Sequence, residues 1–284
     1  MPRSDLVGIM KRFTAEEQRL VTFTITTHKR LHSFIPCFRS FLENCLDREQ
    51  YIKEYLVVDD GSSPADRAAM RRAFPPERFP LVRFVFHDKG HPTSINTLLG
   101  HVTTPLWLAW EDDWELRTPT PLVGRAMAVL SAEPRVMQVG LNGGWEDFDG
   151  SHKMAPADGH GVIRFSVLDY PPSHLKKLTP ESVARGCCRP GDAAWPLFSL
   201  QPALNRADYI KALGRFTTDW RANMQPRYFV WELEFATRFV AGGAQKAVLG
   251  QPHATEREGT VSASAQEVRP SGASEYTKEH CWNR

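Results

Sequence analysis

The alternation of short apolar runs with helix-period segments over the first 115 residues constrains the fold of this chain more than any other feature. Leu20 to Thr26 is β-rich and reads as a buried strand. Phe34, Ile35, Phe38, Phe41, Leu42 and Cys45 then recur at helical spacing. Tyr55 to Val58 and Val82 to Phe86 read as further strands, each followed by a helix, Ala65 to Phe74 and Ser94 to His101. A fourth run, from Pro105 to Trp110, is again of strand length. Such alternation implies parallel strands joined by right-handed crossovers. The expected fold is therefore α/β, with a doubly wound, mostly parallel central sheet flanked by helices. Open sheets of this class bind ligands outside the carboxyl ends of their strands. All four ends carry polar groups here: Thr26-Thr27-His28, Asp59-Asp60-Gly61, His87-Asp88-Lys89-Gly90 and Glu111-Asp112-Asp113.

The last cluster is the sharpest. Three adjacent carboxylates repel one another, so Glu111, Asp112 and Asp113 either form a solvated acidic turn or sit beside something positive. A divalent cation holding a phosphorylated ligand supplies such a charge. Asp60 has two readings as well: it supports its turn and caps the next helix, or it accepts hydrogen bonds from a base or ribose. Neither G-x-G-x-x-G nor G-x-x-x-x-G-K-[ST] follows the first strand, which argues against a Rossmann dehydrogenase and a P-loop enzyme. A nucleotide on this sheet would be held by side chains and a metal.

Composition narrows the function classes. The 284 residues, 42% hydrophobic and 24% charged, suit a globular protein with one large domain. A net charge of +2 gives no reason to expect a nucleic-acid partner. The five cysteines are odd in number and lack C-x-x-C spacing, which argues against a disulfide framework and a structural zinc site. No apolar run approaches the roughly 18 residues of a membrane span, and no secretory leader is evident. A cytoplasmic setting is the expectation.

Taken together, these residues resemble the GT-A glycosyltransferases, and most closely the family-2 group of inverting nucleotide-sugar transferases. The resemblance covers about residues 19–116 in good order and about 198–250 more loosely. Val21 to Arg30 looks like that family's first strand and nucleotide loop. Val58-Asp59-Asp60-Gly61-Ser62 matches its V-D-D-G-S signature, and Ser94-Ile95-Asn96 resembles its A-R-N-x-G helix. Glu111-Asp112-Asp113 stands where the family has its D-x-D metal motif, and Trp231 to Arg238 resembles its E-D-x-D-L-x-x-R helix.

The resemblance implies a fold, a donor and a set of roles. Thr26, His28 and Arg30 would line the nucleotide loop, and Asp60 would read the base. Asn96 would belong to the substrate-binding helix, and Asp112 would face the ribose or sugar. Asp113 would coordinate Mn²⁺ or Mg²⁺, with His253 completing the metal site. Glu232 would be the catalytic base, with Glu234 as its rival. Two departures stand out: Glu111 replaces the usual Asp, and the helix pattern lacks its Arg, so Lys89 would carry the phosphate charge. The implied donor is a nucleoside diphosphate sugar, most simply a UDP-sugar, and the acceptor a hydroxyl of a glycan or another molecule. Rival readings are a sugar-nucleotide pyrophosphorylase, which would want a glycine-rich loop after the first strand, and a binding module without chemistry.

The second half is less regular. Helices are expected at Leu122–Leu130, Arg206–Leu213 and Trp231–Val240, and strands at Arg135–Leu141, Gly161–Leu168, Phe198–Leu200 and Gln245–Leu249. Residues 145–195, rich in Gly, Pro and His, read as an irregular acceptor-side excursion. Trp145, Trp195 and Trp220 are possible sugar-stacking surfaces, and most tryptophans are core. The expected organisation is an N-terminal extension (1–18), a transferase domain (19–254, with a nucleotide half at 19–116 and an acceptor half at 117–254) and a C-terminal surface arm (255–284).

Overall fold

The computed structural model describes residues 19–142, 151–157, 161–179, 182, 195–218, 230–250 and 253–257. Its main sheet has nine strands in the order β3-β2-β1-β4-β9-β6-β10-β8-β7. These are β1 (Val21–Thr27), β2 (Ile52–Asp60), β3 (Val82–His87), β4 (Leu106–Glu111), β6 (Val136–Gly140), β7 (Ser151–Ala157), β8 (Gly161–Leu168), β9 (Ala203–Arg206) and β10 (Gln245–Leu249). A separate two-stranded ribbon pairs β5 (Trp114–Leu116) with β11 (Ala254–Glu256). That pairing runs across the expected boundary at residue 254. The helices are α1 (Leu31–Asn44), α2 (Arg48–Tyr51), α3 (Pro64–Ala73), α4 (His91–His101), α5 (Leu122–Ala132), α6 (Pro172–Leu175), α7 (Ala207–Ala212) and α8 (Val230–Ala241).

The sheet is mostly parallel, as expected. β1, β2, β3 and β4 run together, β6 and β10 continue that direction, and β7 shares it. Only β9 and β8 run against the rest. From β1 the chain steps outward to β2 and β3, then returns to place β4 on the other side of β1. The strand order therefore reverses between β1 and β4, which is where an open sheet has its ligand crevice.

Period-2 alternation builds a core on each face of the sheet. Phe23, Ile25, Val57, Leu108 and Trp110 face one way, where Phe34, Phe38 and Phe41 of α1 meet them, the Phe23 and Phe41 rings 4.3 Å apart. Val58, Trp107 and Ala109 face the other way, onto Ile95 and Leu98 of α4 and onto Phe198, Phe216, Phe235 and Phe239. Thr22, Thr24 and Thr26 of β1 also lie on this second face, where Trp107 Nε1 donates to Thr24 Oγ1 at 2.6 Å.

The second half differs from expectation at two strands. Residues 198–200 are not a strand, and the strand between β4 and β6 is Ala203–Arg206. Its Asn205 is fully buried because Gln138 Nε2 donates to its Oδ1 at 2.8 Å while its own amide donates to Trp107 O. Residues 151–157, expected to be irregular, instead form β7, which makes a hairpin with the expected strand β8.

Candidate active site

Three strand ends, those of β1, β2 and β4, and the starts of α4 and α8 converge at the switch point. β4 ends at Glu111, whose register partner is Thr26 of β1, so the next residues of both strands come together beyond the sheet edge. There Thr27 Oγ1 donates to Asp112 Oδ2 at 2.7 Å. Arg30 closes the arrangement: Nε reaches Asp112 Oδ2 and Nη1 reaches Asp113 Oδ2, each at 3.3 Å, while Nη2 pairs with Asp112 Oδ1. All three charged side chains are buried. The Arg30 guanidinium, expected at the substrate, thus lies between the carboxylates that would otherwise repel each other.

Burial pushes the Asp112 carboxyl up to about 6, against the pull of the Arg30 guanidinium and the Thr27 hydroxyl. Burial also opposes the charge on Arg30, but the two aspartates outweigh it and raise that group.

The second strand end is pinned more tightly than the sequence suggests. Asp60 Oδ1 accepts from the backbone N–H groups of Lys89 at 2.8 Å and Gly90 at 3.2 Å, and His87 Nδ1 lies 3.3 Å from it. His28 Nδ1 donates to the Asp60 carbonyl, which fixes the imidazole over this strand end. Asp59 is a fold residue, taking Arg67 Nε at 2.7 Å. Lys29 sits at φ 54° with its N–H on Ser62 Oγ, and Gly61 at φ 82° holds a left-handed conformation that side chains disfavour, with Asp88 Oδ1 lying 2.8 Å from where a Cβ would stand. Thr26 is buried at the end of β1, and the Lys89 side chain is exposed at the rim.

Asn96 and His253 have partners elsewhere in the fold. Asn96 Nδ2 donates to Phe216 O at 2.8 Å and its Oδ1 accepts Phe216 N at 2.9 Å, so its amide clasps a neighbouring loop instead of a substrate. His253 precedes β11, whose antiparallel register sets Glu256 against Trp114 and Ala254 against Leu116. Arg257, not His253, therefore meets Asp113, donating its N–H to the Asp113 carbonyl at 2.6 Å. His253 lies four residues before Arg257, where its N–H donates to Leu141 O at 2.9 Å. Its imidazole is pushed down to about 4 by burial, with Arg125 adding to the shift.

The imidazole that adjoins the carboxylates is instead His91, at the first position of α4 and absent from the sequence expectation, which begins this helix at Ser94. It too is pushed down to about 4 by burial, with Asp60 and Asp113 opposing and Arg30 and His28 reinforcing the shift. Its Nε2 is buried and has no hydrogen-bond partner among the described residues. The Gly90-His91-Pro92 string was the available signal, because proline favours the first turn of a helix.

The His91 ring meets Trp231 edge-on at 5.1 Å, which joins the start of α8 to the start of α4. Glu232 follows Trp231 and is buried, its Oε1 accepting Leu200 N at 2.9 Å. Its expected rival, Glu234, is turned away and forms an i,i+4 pair with Arg238 at 2.7 Å.

Asp113 Oδ1 is buried and has no hydrogen-bond partner among the described residues. Among those residues no group of three or more His, Cys, Asp or Glu side chains is arranged to hold a metal. Mg²⁺-like ions need no such cage, taking one or two carboxylates and completing their shell with substrate phosphates and water. One orphaned carboxylate oxygen beside a second buried carboxylate fits that mode. Trp145, Trp220 and the sequence beyond residue 257 lie outside the described residues.

Comparison with known proteins gives a family for these features. Residues 22–178, more than half of the chain, match the family model described as glycosyl transferase family 2. A search of curated proteins returned no match. Among solved structures, the chain is similar to the mannosyltransferase PcManGT from Pyrobaculum calidifontis in complex with GDP-Man and Mn²⁺, at 18% identity and a TM-score of 0.50, covering 82% of this chain and 56% of that one. It is also similar to GalNAc-T7 with UDP, GalNAc and Mn²⁺, at 12% identity and a TM-score of 0.53, covering 85% and 45%. The chain thus spans about half the length of these structures, and at such identities the likeness is one of fold.

Proposed function

This chain belongs to glycosyl transferase family 2, and on that premise we propose that it is a metal-dependent inverting transferase of the GT-A fold. In this reading it moves a sugar from a nucleoside diphosphate donor, a UDP-sugar, to a hydroxyl of a glycan or other acceptor. The observation that carries the proposal is the buried Thr27–Asp112–Arg30–Asp113 knot at the switch point, with Asp113 Oδ1 left without a partner.

Each role has a physical basis. Asp113 would hold Mn²⁺ or Mg²⁺, which when bound would neutralise charge on the diphosphate. Asp112, fixed by Thr27 and Arg30, would present a rigid edge to the ribose or sugar. Asp60 and the His28 ring that it anchors would flank the base, with Thr26 beneath them. His91 Nε2 and the exposed Lys89 ammonium would serve the diphosphate in place of the absent arginine. Glu232 would take the proton of the acceptor hydroxyl as that oxygen forms its bond to C1, while the C1–phosphate oxygen bond breaks and the nucleoside diphosphate leaves with the electron pair. Attack from the face opposite the leaving group gives inversion.

We also propose a transferase unit that begins at residue 19 and, because β11 pairs with β5, runs past the expected end at 254 to 257, with a nucleotide half ending near 116, an extension before it and a surface arm after it. A cytoplasmic setting is part of the proposal and rests on the cysteine pattern; no helix among the described residues is long and apolar enough to cross a membrane. Calorimetric titration of UDP and GDP, each with and without Mn²⁺, tests the nucleotide assignment. UDP binding that needs Mn²⁺ and disappears in Asp113→Asn is expected, and metal-independent binding would remove Asp113 from its role.

A further inference from the structure

A lysine lies buried in the middle of the sheet, and no step described so far uses it. Lys246, the second residue of β10, is 1% exposed and, among the described residues, is the one charged side chain in the set of largest fully buried ones. Its backbone is level with Gln138 of the parallel strand β6, yet its Cε lies 3.2 Å from where a Cβ on Gly140 would stand. The stem therefore runs up the sheet toward the carboxyl ends of the strands, through space that Gly140 leaves open. Its ammonium is thus directed to the edge where the ligand crevice is.

The charge acting on it there is that of Glu232, which opposes a burial effect that pushes the ammonium down to about 7. Glu232 is held from another side by Leu200 N–H. That donor is fixed in turn, because the Gln138 amide clasps Ser199 at both its N–H, at 3.1 Å, and its carbonyl, at 2.9 Å. Among the described residues, Glu234 faces Arg238 and His91 of α4 packs against Trp231.

We propose that Lys246 is a positioning residue for Glu232, setting the direction of its carboxylate and keeping it available to accept the proton of an incoming hydroxyl. The inference rests on the reading of Glu232 as the base. A carboxyl so deeply buried, with no counter-charge, favours its neutral form and can accept no proton. The Leu200 N–H alone fixes one oxygen but supplies no net charge. Lys246 supplies the charge from below the site, where it does not obstruct an acceptor arriving from above.

Two measurements on the full chain test this. With ¹³C-labelled glutamate and lysine, the Glu232 carboxyl is identified by its loss in Glu232→Gln and titrated in wild type and Lys246→Met. The carboxyl is expected to rise by about one pH unit in Lys246→Met, a tenfold gain in proton affinity. If Lys246→Met does not fold, the reciprocal arm decides: in Glu232→Gln the Lys246 Cε signal should titrate about one unit lower. No movement in the arm that is read overturns the proposal, even if Lys246→Met has lost thermal stability.

The second measurement is the pH dependence of kcat, with UDP-N-acetylgalactosamine and GDP-mannose as donors and water as acceptor. The acid limb should move upward with the carboxyl in Lys246→Met. A limb that stays put while the carboxyl moves reduces the pair to a fold contact. Wild-type turnover in Glu232→Gln would instead remove the base assignment, and the reciprocal lysine shift would still report whether the two groups are coupled.

Discussion

Asp112 is 1% exposed and Asp113 5%, and two anions at that depth persist only beside a fixed counter-charge. Arg30 provides it, so Arg30→Met should cost about 3–5 kcal/mol, the range for breaking a buried pair. Millimolar Mn²⁺ should raise the melting temperature of this variant more than that of wild type, because the ion replaces part of the missing charge. Scanning calorimetry reads both effects, and a variant as stable as its parent would contradict the account.

Acid sensitivity is also a residue-scale matter. His91 and His253 are both pushed from 6.5 to about 4 by burial, so between those values the unfolded chain binds protons that the folded one does not. Their contribution to stability is therefore complete above about pH 6.5 and is lost as pH falls toward 4, on the order of 1–3 kcal/mol for each. Urea melts of His253→Gln at pH 7 and pH 5 should show a smaller acid loss than wild type. The places of Asp60, Asp112, Asp113 and Glu232 at strand ends and a helix start were legible in the sequence, because carboxylates that close an apolar run or open a helical one are conspicuous. The occupations of Arg30 and Asn96 were not legible, because each is decided by a contact across the fold, with Asp112 and Phe216 respectively.

At the scale of elements, α8 separates its two acids by face. Glu232 points into the protein, while Glu234 makes an i,i+4 pair whose side chains are 30% and 37% exposed. Such a pair contributes only about 0.3–0.5 kcal/mol. Glu234→Gln should therefore leave transfer within about twofold of wild type and shift the melting temperature slightly, whereas Glu232→Gln should lose about 10²–10⁴ of the rate. Equal losses in a transfer assay would show that the two faces have been misassigned.

Local patterning carried most of the element order. β8 and β10 fall at the expected residues, and α5 and α8 differ from expectation by one or two at their ends. It failed at β9, which is four residues long and buries a polar Asn205 whose partners lie on other strands. It also failed at the start of α4, where Pro92 reads as a break by composition but acts as a first-turn residue.

At the scale of the whole molecule, the switch point between β1 and β4 and the α8 start belong to different halves of the chain, joined through the His91–Trp231 contact. A nucleotide bound at the switch point should therefore stabilise the entire domain in one transition. UDP with Mn²⁺ at a hundred times its dissociation constant should add about 2.7 kcal/mol. A melt that splits into two steps on adding ligand would show that the halves respond separately.

The antiparallel strand β9 has a consequence for how this protein is made. It fills the slot between β4 and β6, yet the ribosome adds it about 95 residues after the end of β4. At about 5–20 residues per second, the flank of β4 waits on the order of 5–20 s for its neighbour. During that interval a hydrophobic strand offers an open row of backbone donors and acceptors, the template on which nascent chains stick to one another. A chain stopped at residue 200 should therefore collect in the insoluble fraction while the full chain does not, and synthesis slowed after β4 should lower the soluble yield.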